Sequence, residues 1–448
     1  MTNEPLAARL LAMLKRRSAG MLASTGFSIG TKALQALASF ATVHRLVLLW
    51  GLSGYGLWVT LAAFAIYISL FDMGVGYGVK NRISEAWGRG DVAEATDVVR
   101  VGVAIYFVAS TAALVAGVFV VLLVSPFKEH VQAAGLLWVA CVASFFLSFH
   151  NMVLQGLARF KALALLSLIA PFTWFTVLQL WPRDVELPLP LGAGLYAVAM
   201  LLQAGITVAV SKRAHDFRIA GWARTRLHEF RPLMKTGARF LILQLAAFAL
   251  NGSGSFLVYR ALGGIDTAQY DAASRVFSIF SIAFSTLIAI AWTEISRAKA
   301  AQDHARIVGI HRLLHGAALG LLVVAVAACY VSEPLTKALT GIRVPSSAAA
   351  AFVFYIGVQM LAYTSAVFLN AYERLRGQII AALISIPVFF TVALALLAHG
   401  WGMPSIPIAS AVAMLPSLLV CFVIARRLLA APHDDPPVAR VPEGGSVR

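Results

Sequence analysis

The sequence predicts an all-α, polytopic membrane protein with twelve transmembrane helices in two pseudo-symmetric six-helix lobes. Hydrophobic residues make up 60% of the chain and charged residues only 12%. The apolar runs reach the ~20 residues that a helix needs to cross a bilayer. They show no alternation of polar and apolar residues, so they predict helices and not barrel strands, the two kinds of structure that satisfy the backbone in lipid. An internal repeat predicts the two lobes.

Short segments that carry most of the charged residues separate the predicted spans. The spans cover residues 21–43, 54–79, 101–124, 134–157, 162–182, 189–211, 237–259, 268–294, 311–332, 346–371, 377–399 and 404–425. Residues 1–20 precede them as an amphipathic cytoplasmic N-terminus, predicted to lie on the membrane surface. Residues 429–448 follow them, and their Pro- and Gly-rich composition predicts a disordered cytoplasmic tail.

The basic residues orient the chain, because Lys and Arg accumulate on the cytoplasmic side of a membrane. With the N-terminus inside, 28 of the 36 Lys and Arg residues fall on the cytoplasmic side, six on the opposite side and two within spans. This asymmetry predicts that both termini are cytoplasmic. It also accounts for the net charge of +16. The sequence has no nucleic-acid-binding motif, so we expect no nucleic acid partner.

Motifs recur about 215 residues apart along the chain. The segment 155–161, QGLARFK, matches 370–376, NAYERLR, and Tyr55 matches Tyr270 at the same offset. Two six-helix halves with the same direction through the membrane are parallel repeats, an arrangement in which transporters bind substrate between the halves. The predicted units are an N-lobe at 21–211, a basic cytoplasmic linker at 212–236 and a C-lobe at 237–428.

Polar side chains form stripes on several spans. In the first span, Ser28, Lys32 and Gln35 recur at steps of three or four residues, so they share one helix face. The predicted span places Lys32 ~18 Å from its start, near the midplane. A cation at that depth is costly and is expected to be functional. The seventh span carries a corresponding stripe with Gln244 and Asn251.

Three arginines complete the predicted substrate-binding set. Arg275 lies beside the polar stripe of the eighth span, and the alternative is that it pairs with Asp271 one helical turn away. Arg45 and Arg260 lie at the outer ends of the first and seventh spans, where the alternative is that they reach the lipid headgroups.

The second span ends in FDMGVGYGVKNRI, which includes Asp72 near the cytoplasmic end. We interpret Asp72 as a gating residue with Arg82 and Arg297 as candidate partners, and the alternative is a local ion pair or a backbone cap. The sequence has no phosphate-binding loop. It predicts no catalytic residue, no metal site and no cofactor.

The region from Leu49 to Asp91 resembles the second-helix region of O-antigen and capsule repeat-unit flippases. These proteins belong to the multidrug/oligosaccharidyl-lipid/polysaccharide exporter superfamily. The resemblance rests on the entry loop around Tyr55, on Asp72 and Gly74, and on the exit ending in Arg82. It implies two lobes in a V shape, with the first, second, seventh and eighth helices lining a central cavity.

The resemblance also implies a function, a set of partners and a location. Such flippases move polyprenyl-pyrophosphate-linked oligosaccharides from the inner to the outer leaflet of the bacterial cytoplasmic membrane by alternating access. Surface polysaccharide biosynthesis would add a polysaccharide polymerase and glycosyltransferases as partners, besides the lipid bilayer. The first alternative is a cation-coupled multidrug exporter of the same superfamily, although the in-membrane charges here are mainly basic. The second is a membrane glycosyltransferase or polymerase, which the short outer connections do not favour.

Overall fold

The computed structural model describes a helical molecule, with no strand among its described residues. These are residues 6–63, 68, 71, 75–157, 159–182, 184–215, 242, 245–250, 252–300, 302–372 and 374–430. Several predicted features lie outside them: most of the linker, the tail, Asp72, Gly74, Gln244 and Asn251. The description also does not extend to the side chains of Ser28 and Arg297.

The first half of the molecule runs from residue 6 to residue 215. Its helices are α1 (Leu6–Ala62), α2 (Val75–Gly88), α3 (Val92–Leu123), α4 (Val131–Gly156), α5 (Phe160–Leu166), α6 (Ile169–Leu180) and α7 (Leu189–Ala214). A short 3-10 helix, Phe127–His130, precedes α4. Within α1, Gly51 has a φ of 66° and breaks the helix, so that the chain turns back there. Glycine is required because a side chain disfavours this φ.

The second half begins within the seventh predicted span. Its helices are α8 (Gly254–Leu262), α9 (Gly264–Ala300), α10 (His304–Tyr330), α11 (Ser332–Thr340), α12 (Ser346–Ala371), α13 (Arg376–Ala398) and α14 (Ser405–Ala430). Within the described part of the chain, ten helices are long and apolar enough to cross a membrane. The second and seventh predicted spans cross undescribed residues, and the other ten predicted spans each overlap one of these helices.

The two halves pack their helices in the same pattern. In the first half α4 packs against α3 and α7, and in the second half α12 packs against α10 and α14. The ends of these helices also match. Asp91 caps α3 by accepting from the amide of Glu94, and Asp303 caps α10 by accepting from the amide of Arg306. The sequence repeat is therefore a repeat of structure as well.

The structure corrects the register of this repeat near the start of each half. Two pairs of equivalent positions show this: the breaks at Gly51 and Gly263, and the caps at Asp91 and Asp303. The separation within each pair is three residues smaller than the 215-residue offset of the sequence motifs. Tyr55 therefore corresponds to Thr267, and its sequence match to Tyr270 is wrong. Later in the chain the 215-residue offset holds, because α4 ends at Gly156 and α12 at Ala371. The connection that contains α11 absorbs the difference.

We expect the helix ends to label on the membrane sides that the basic residues predict. Single cysteines would be placed at Lys128 and Val185 for the outer side, and at Arg159 and Arg374 for the cytoplasmic side. All four residues are exposed. In a background without Cys141, Cys329 and Cys421, an impermeant thiol reagent added outside should modify the first pair and spare the second. Modification of Arg159→Cys or Arg374→Cys from outside would overturn the orientation.

Candidate functional site

A cavity of about 740 Å³ lies within the first half and reaches the second half along one side. Polar side chains of the first and fourth spans line it. They are Gln35, Ser39, Thr42, Ser144, Ser148 and Asn151. Gln203 and Thr207 of α7 add an amide and a hydroxyl. On each of the two helices these residues recur at steps of three or four, so one polar face borders the cavity, as expected for polar groups that lipid cannot satisfy.

Aromatic rings form one wall of the cavity. Trp58 stacks on Trp174, with centroids 5.7 Å apart, and both rings meet Tyr196 edge-on at 5.4 and 5.5 Å. Ring pairs at these separations stabilise packing beyond the area they bury. The cavity thus combines flat apolar faces with hydroxyl and amide groups, a mixture suited to a large polar ligand.

Arg275 is the one charged side chain among the described residues that line the cavity. It belongs to α9 of the second half and points into a cavity built by the first half. Its Nε donates to Asp271 at 2.5 Å, and a terminal nitrogen donates to Ser39 of α1. A guanidinium has five N–H donors, so these two contacts leave donors available to a ligand. The ion pair with Asp271, one of the two readings the sequence left open, is present.

Asp271 also receives a hydrogen bond from the hydroxyl of Tyr55. Tyr55 is almost fully buried, and the Asp271 side chain is 13% exposed. A single carboxylate is therefore shared by a tyrosine of the first half and an arginine of the second. With the contact between Arg275 and Ser39, the cluster joins the two halves through four side chains.

The backbones of the two halves touch directly beside this cluster. A Cβ at Gly56 would lie 1.8 Å from the carbonyl oxygen of Gly264, and a Cβ at Gly264 would lie 2.4 Å from the carbonyl oxygen of Ser53. Only glycine allows such an approach. Phe127 of the first half and Phe256 of the second half also stack, with centroids 5.9 Å apart. These contacts all involve segments near the predicted outer ends of the spans.

A break in the fifth span shapes another part of the cavity wall. The helix is interrupted between α5 and α6, at Ser167 and Leu168. Gln35 of α1 donates to the carbonyl oxygen of Ser167 at 2.7 Å, and Gln203 of α7 accepts from the amide of Ala170 at 3.0 Å. A broken helix persists in a membrane when neighbouring groups satisfy its backbone. Gln35 therefore supports the wall as well as lining the cavity.

Arg45 has a structural position that the sequence did not reveal. Its side chain is buried, and its nitrogens donate to the carbonyl oxygens of Leu178 and Trp181 at 3.0 and 2.6 Å. These carbonyls end α6, where a cation is stabilised by the helix dipole. Within the described residues Arg45 does not line the cavity.

The remaining predicted site residues lie further from the cavity. Lys32 is exposed on α1, one helical turn before Gln35 on the same face. Because α1 continues to Trp50, Lys32 lies ~27 Å from that end of the helix, and its depth in the membrane stays a prediction. Arg260 is exposed in the last turn of α8, and Arg82 is half-buried in α2.

Sequence reasoning missed the aromatic wall and the contribution of α7. Trp58, Trp174, Tyr196 and Gln203 lie in apolar spans where single aromatic or amide side chains have no periodic pattern. Ser144, Ser148 and Asn151 recur at helical spacing in the sequence, and this polar stripe indicates that the fourth span faces the cavity. The buried hydroxyl of Ser144 has no hydrogen-bond partner among the described residues.

We expect the Asp271–Arg275 pair to stabilise the protein as a unit. Arg275→Gln leaves a nearly buried carboxylate without its cation, which should cost about 2 kcal/mol and lower the melting temperature in detergent. The double variant Arg275→Gln with Asp271→Asn removes both charges and should recover most of that loss. Equal melting temperatures for the two variants would show that the pair is not coupled.

Comparison with known proteins identifies the fold. No protein-family model matches the sequence, and no curated protein matches it. Among solved structures, an inward-facing multidrug resistance MATE family transporter of the MOP superfamily superimposes with a TM-score of 0.66 at 13% identity, over 88% of this chain and 94% of that chain. An outward-facing MATE family transporter gives 0.62 at 12% identity, over 91% and 93%.

A third neighbour is a MOP superfamily transporter from Pyrococcus furiosus, described as having a binding pocket of reverse polarity that suggests a different function. It superimposes with a TM-score of 0.61 at 14% identity, over 91% of this chain and 94% of that chain. The fold thus has relatives in both inward- and outward-facing conformations. This chain has the fold of the MATE family transporters on which it superimposes.

Proposed function

We propose that the protein is a flippase that moves polyprenyl-pyrophosphate-linked oligosaccharides from the inner to the outer leaflet by alternating access. The observation that carries the proposal is the charge of the cavity. Its one charged lining residue in the described chain is a cation, Arg275. Cations in a low-dielectric site attract an anionic headgroup and form strong hydrogen bonds with phosphate oxygens.

The rest of the cavity suits the sugar part of such a cargo. Its hydroxyl and amide groups can exchange hydrogen bonds with sugar hydroxyls, and its aromatic wall offers apolar faces to sugar rings. A volume of about 740 Å³ is within the range of ligand sites for molecules larger than a single sugar. The polyprenyl tail needs no protein site, because it can remain in the bilayer.

Arg275 also suggests how cargo binding and conformation are linked. A pyrophosphate that binds Arg275 competes with Asp271 for the guanidinium. Arg275 also donates to Ser39 of the first half, so a pyrophosphate that draws Arg275 away from both partners weakens a contact between the halves. The cargo would thereby favour separation of the halves near the predicted outer ends. A ligand shifts such an equilibrium only by its different affinity for the two states, and this exchange supplies that difference.

Lys32 supports the same route at its predicted cytoplasmic end. It lies on the face of α1 that also presents Gln35 and Ser39, and it is ~10 Å along the helix from Ser39. An anionic headgroup could meet Lys32 first and Arg275 later. Asp72, Arg82 and Arg297 are the proposed gating residues, and Gly74 is a proposed bend beside them. The proposed partners are the lipid-linked sugar, a polysaccharide polymerase and glycosyltransferases.

A multidrug exporter is the second candidate, and Asp271 is the observation that favours it. This carboxylate could bind a cationic drug if Arg275 moved away. In the structure Arg275 and Tyr55 both occupy it. The reverse-polarity pocket described for the Pyrococcus furiosus transporter supports reading the cargo class of this fold from pocket charge. Here the charge favours an anionic cargo.

The test is transport in proteoliposomes with a polyprenyl-pyrophosphate-linked oligosaccharide carrying a fluorescent sugar. Flipping exposes the label to a quencher on the opposite side. Arg275→Gln should reduce the flipping rate at least tenfold, because a charge-assisted contact of about 1.5–3 kcal/mol is lost. Arg275→Lys should retain part of the rate, since it keeps the charge and loses the planar fork.

Arg343→Gln is the matched control, because Arg343 is an exposed arginine that pairs with Glu333 away from the cavity. It should flip at the wild-type rate. A wild-type protein that exports cationic dyes and does not flip the lipid-linked sugar would refute the proposal and favour the multidrug exporter. In that case Asp271→Asn should abolish dye export.

A further inference from the structure

A groove of about 1040 Å³ lies in the second half, between α10, α11 and α12. One face of α10 and one face of α12 form its walls, and the start of α11 closes its predicted outer end. The large apolar residues that line its deeper part are Leu322, Val326, Phe354, Val358 and Leu361. The groove shares no lining residue with the cavity of the functional site, so it is a separate feature of the molecule.

The groove opens away from the centre of the molecule. Gln359 of α12 accepts a hydrogen bond from Ser281 of α9 at 2.6 Å, so this face of α12 points toward α9. Gly357 and Leu361 line the groove and lie two residues to either side of Gln359. Because a helix turns ~100° per residue, these two residues lie on the opposite face. Phe354 is half-exposed on the groove side, where the surroundings of a membrane-spanning helix are lipid.

The groove extends through about one leaflet of the membrane. Tyr330 ends α10 and is 87% exposed, a position typical of tyrosine at the membrane–water interface. The lining runs from Tyr330 to Leu322 on α10, which is ~12 Å along the helix, and from Ser346 to Leu361 on α12, which is ~22 Å. One leaflet supplies half of the ~30 Å hydrocarbon core. A hydrocarbon chain of the outer leaflet therefore matches the groove in length.

Polar groups are confined to the outer end of the groove. Besides Tyr330, the polar residues that line it are Ser332, Glu333, Ser346 and Ser347. Ser346 and Ser347 are exposed in the first turn of α12, where main-chain amides lack intrahelical partners and anions are favoured. Arg343 pairs with Glu333 at 3.5 Å, so the charge of this carboxylate is balanced. The outer end thus suits the phosphate and ester oxygens of a phospholipid.

The helix that closes the groove is fixed by contacts of its own. Thr336 of α11 accepts a hydrogen bond from the amide of Val344 at 3.3 Å. Gly341 follows α11 with a φ of 77°, and a Cβ there would lie 2.7 Å from Nδ1 of His44 on α1. The first half has a four-residue 3-10 helix in the place of α11, so this part of the fold departs from the internal repeat. The groove is therefore preformed, as ligand sites usually are.

We propose that the groove binds one acyl chain of a phospholipid from the outer leaflet, with the lipid phosphate at the first turn of α12. Within a membrane, lipid tails are as apolar as the groove, so the hydrophobic effect contributes little to the binding. The site depends instead on the shape of the groove and on polar contacts at the level of the headgroup. The inference holds for any cargo, because the groove lies outside the cavity.

A phospholipid fits the groove better than the tail of the proposed cargo does. The headgroup of that cargo would bind Arg275 of α9, on the side of α12 that carries Gln359. The body of α12 lies between that side and the groove. A phospholipid reaches the groove directly from the surrounding bilayer, and its two chemical parts match the apolar depth and the polar outer end.

Photocrosslinking tests both the occupant and its depth. A phospholipid with a diazirine near the ester end or near the methyl end of one acyl chain is added at a one-to-one ratio to delipidated protein in detergent. The modified residues are then mapped by mass spectrometry. We expect the probe near the ester to modify Tyr330 and Ser347, and the probe near the methyl end to modify Leu322 and Leu361.

Two tryptophan variants separate the groove from the rest of the lipid-facing surface. Ala350→Trp places an indole in the groove, because Ala350 is exposed and lines it. It should reduce the yield of both probes at least fivefold. Ala327→Trp is the matched control, because Ala327 is exposed near the same end of α10 and does not line the groove. Its yields should equal those of the wild type.

Modification spread evenly over the exposed residues of other spans, or full yields in well-folded Ala350→Trp protein, would overturn the proposal. So would displacement of the probe by polyprenyl pyrophosphate and not by unlabelled phospholipid, or a dimer in native mass spectrometry that excludes the probe. If Ala350→Trp does not fold, Cys329 supplies a second measurement, because it lines the groove and is the only thiol once Cys141 and Cys421 are replaced by alanine. Added phospholipid should slow its reaction with N-ethylmaleimide at least threefold, and an unchanged rate contradicts the proposal.

Discussion

The carboxylate of Asp271 joins the two halves of the molecule beside the cavity. It accepts from Tyr55 of the first half and from Arg275 of the second, and Arg275 in turn reaches Ser39. These groups lie in a membrane-spanning region, where an unpaired charge is costly. Their pairing explains how one cation and one anion can remain beside a cavity. It also makes the contact sensitive to any anion that competes for Arg275.

The same requirement explains other features of the first half. Lipid offers no hydrogen bonds, so each break in a helix needs partners from neighbouring helices. Gln35 and Gln203 supply them at the break between α5 and α6, and Arg45 supplies them at the end of α6. These polar residues are therefore explained by backbone satisfaction as well as by cargo.

The sequence was sufficient for the spans and insufficient for the contacts between distant spans. Long apolar runs decide where helices form, so residues 346–371 were predicted with the observed ends of α12. The first helix continues past the predicted end at residue 43. His44 is exposed there and Arg45 donates to a carbonyl oxygen at the end of α6, so neither polar residue ends the helix. The ion pair of Arg275 was foreseeable from spacing, whereas the contact of Tyr55 with Asp271 depends on how two distant spans pack.

The charge preference of the cavity is the central claim, and binding tests it most directly. The affinity of the purified protein would be measured for a polyprenyl-pyrophosphate-linked sugar and for the same lipid-linked sugar without phosphates, at low and high salt. The pyrophosphate form should bind at least tenfold more tightly, which corresponds to about 1.4 kcal/mol, and its advantage should persist in salt because the site is partly buried. Equal affinities for the two lipids, or displacement of either by a lipophilic cation, would contradict the account.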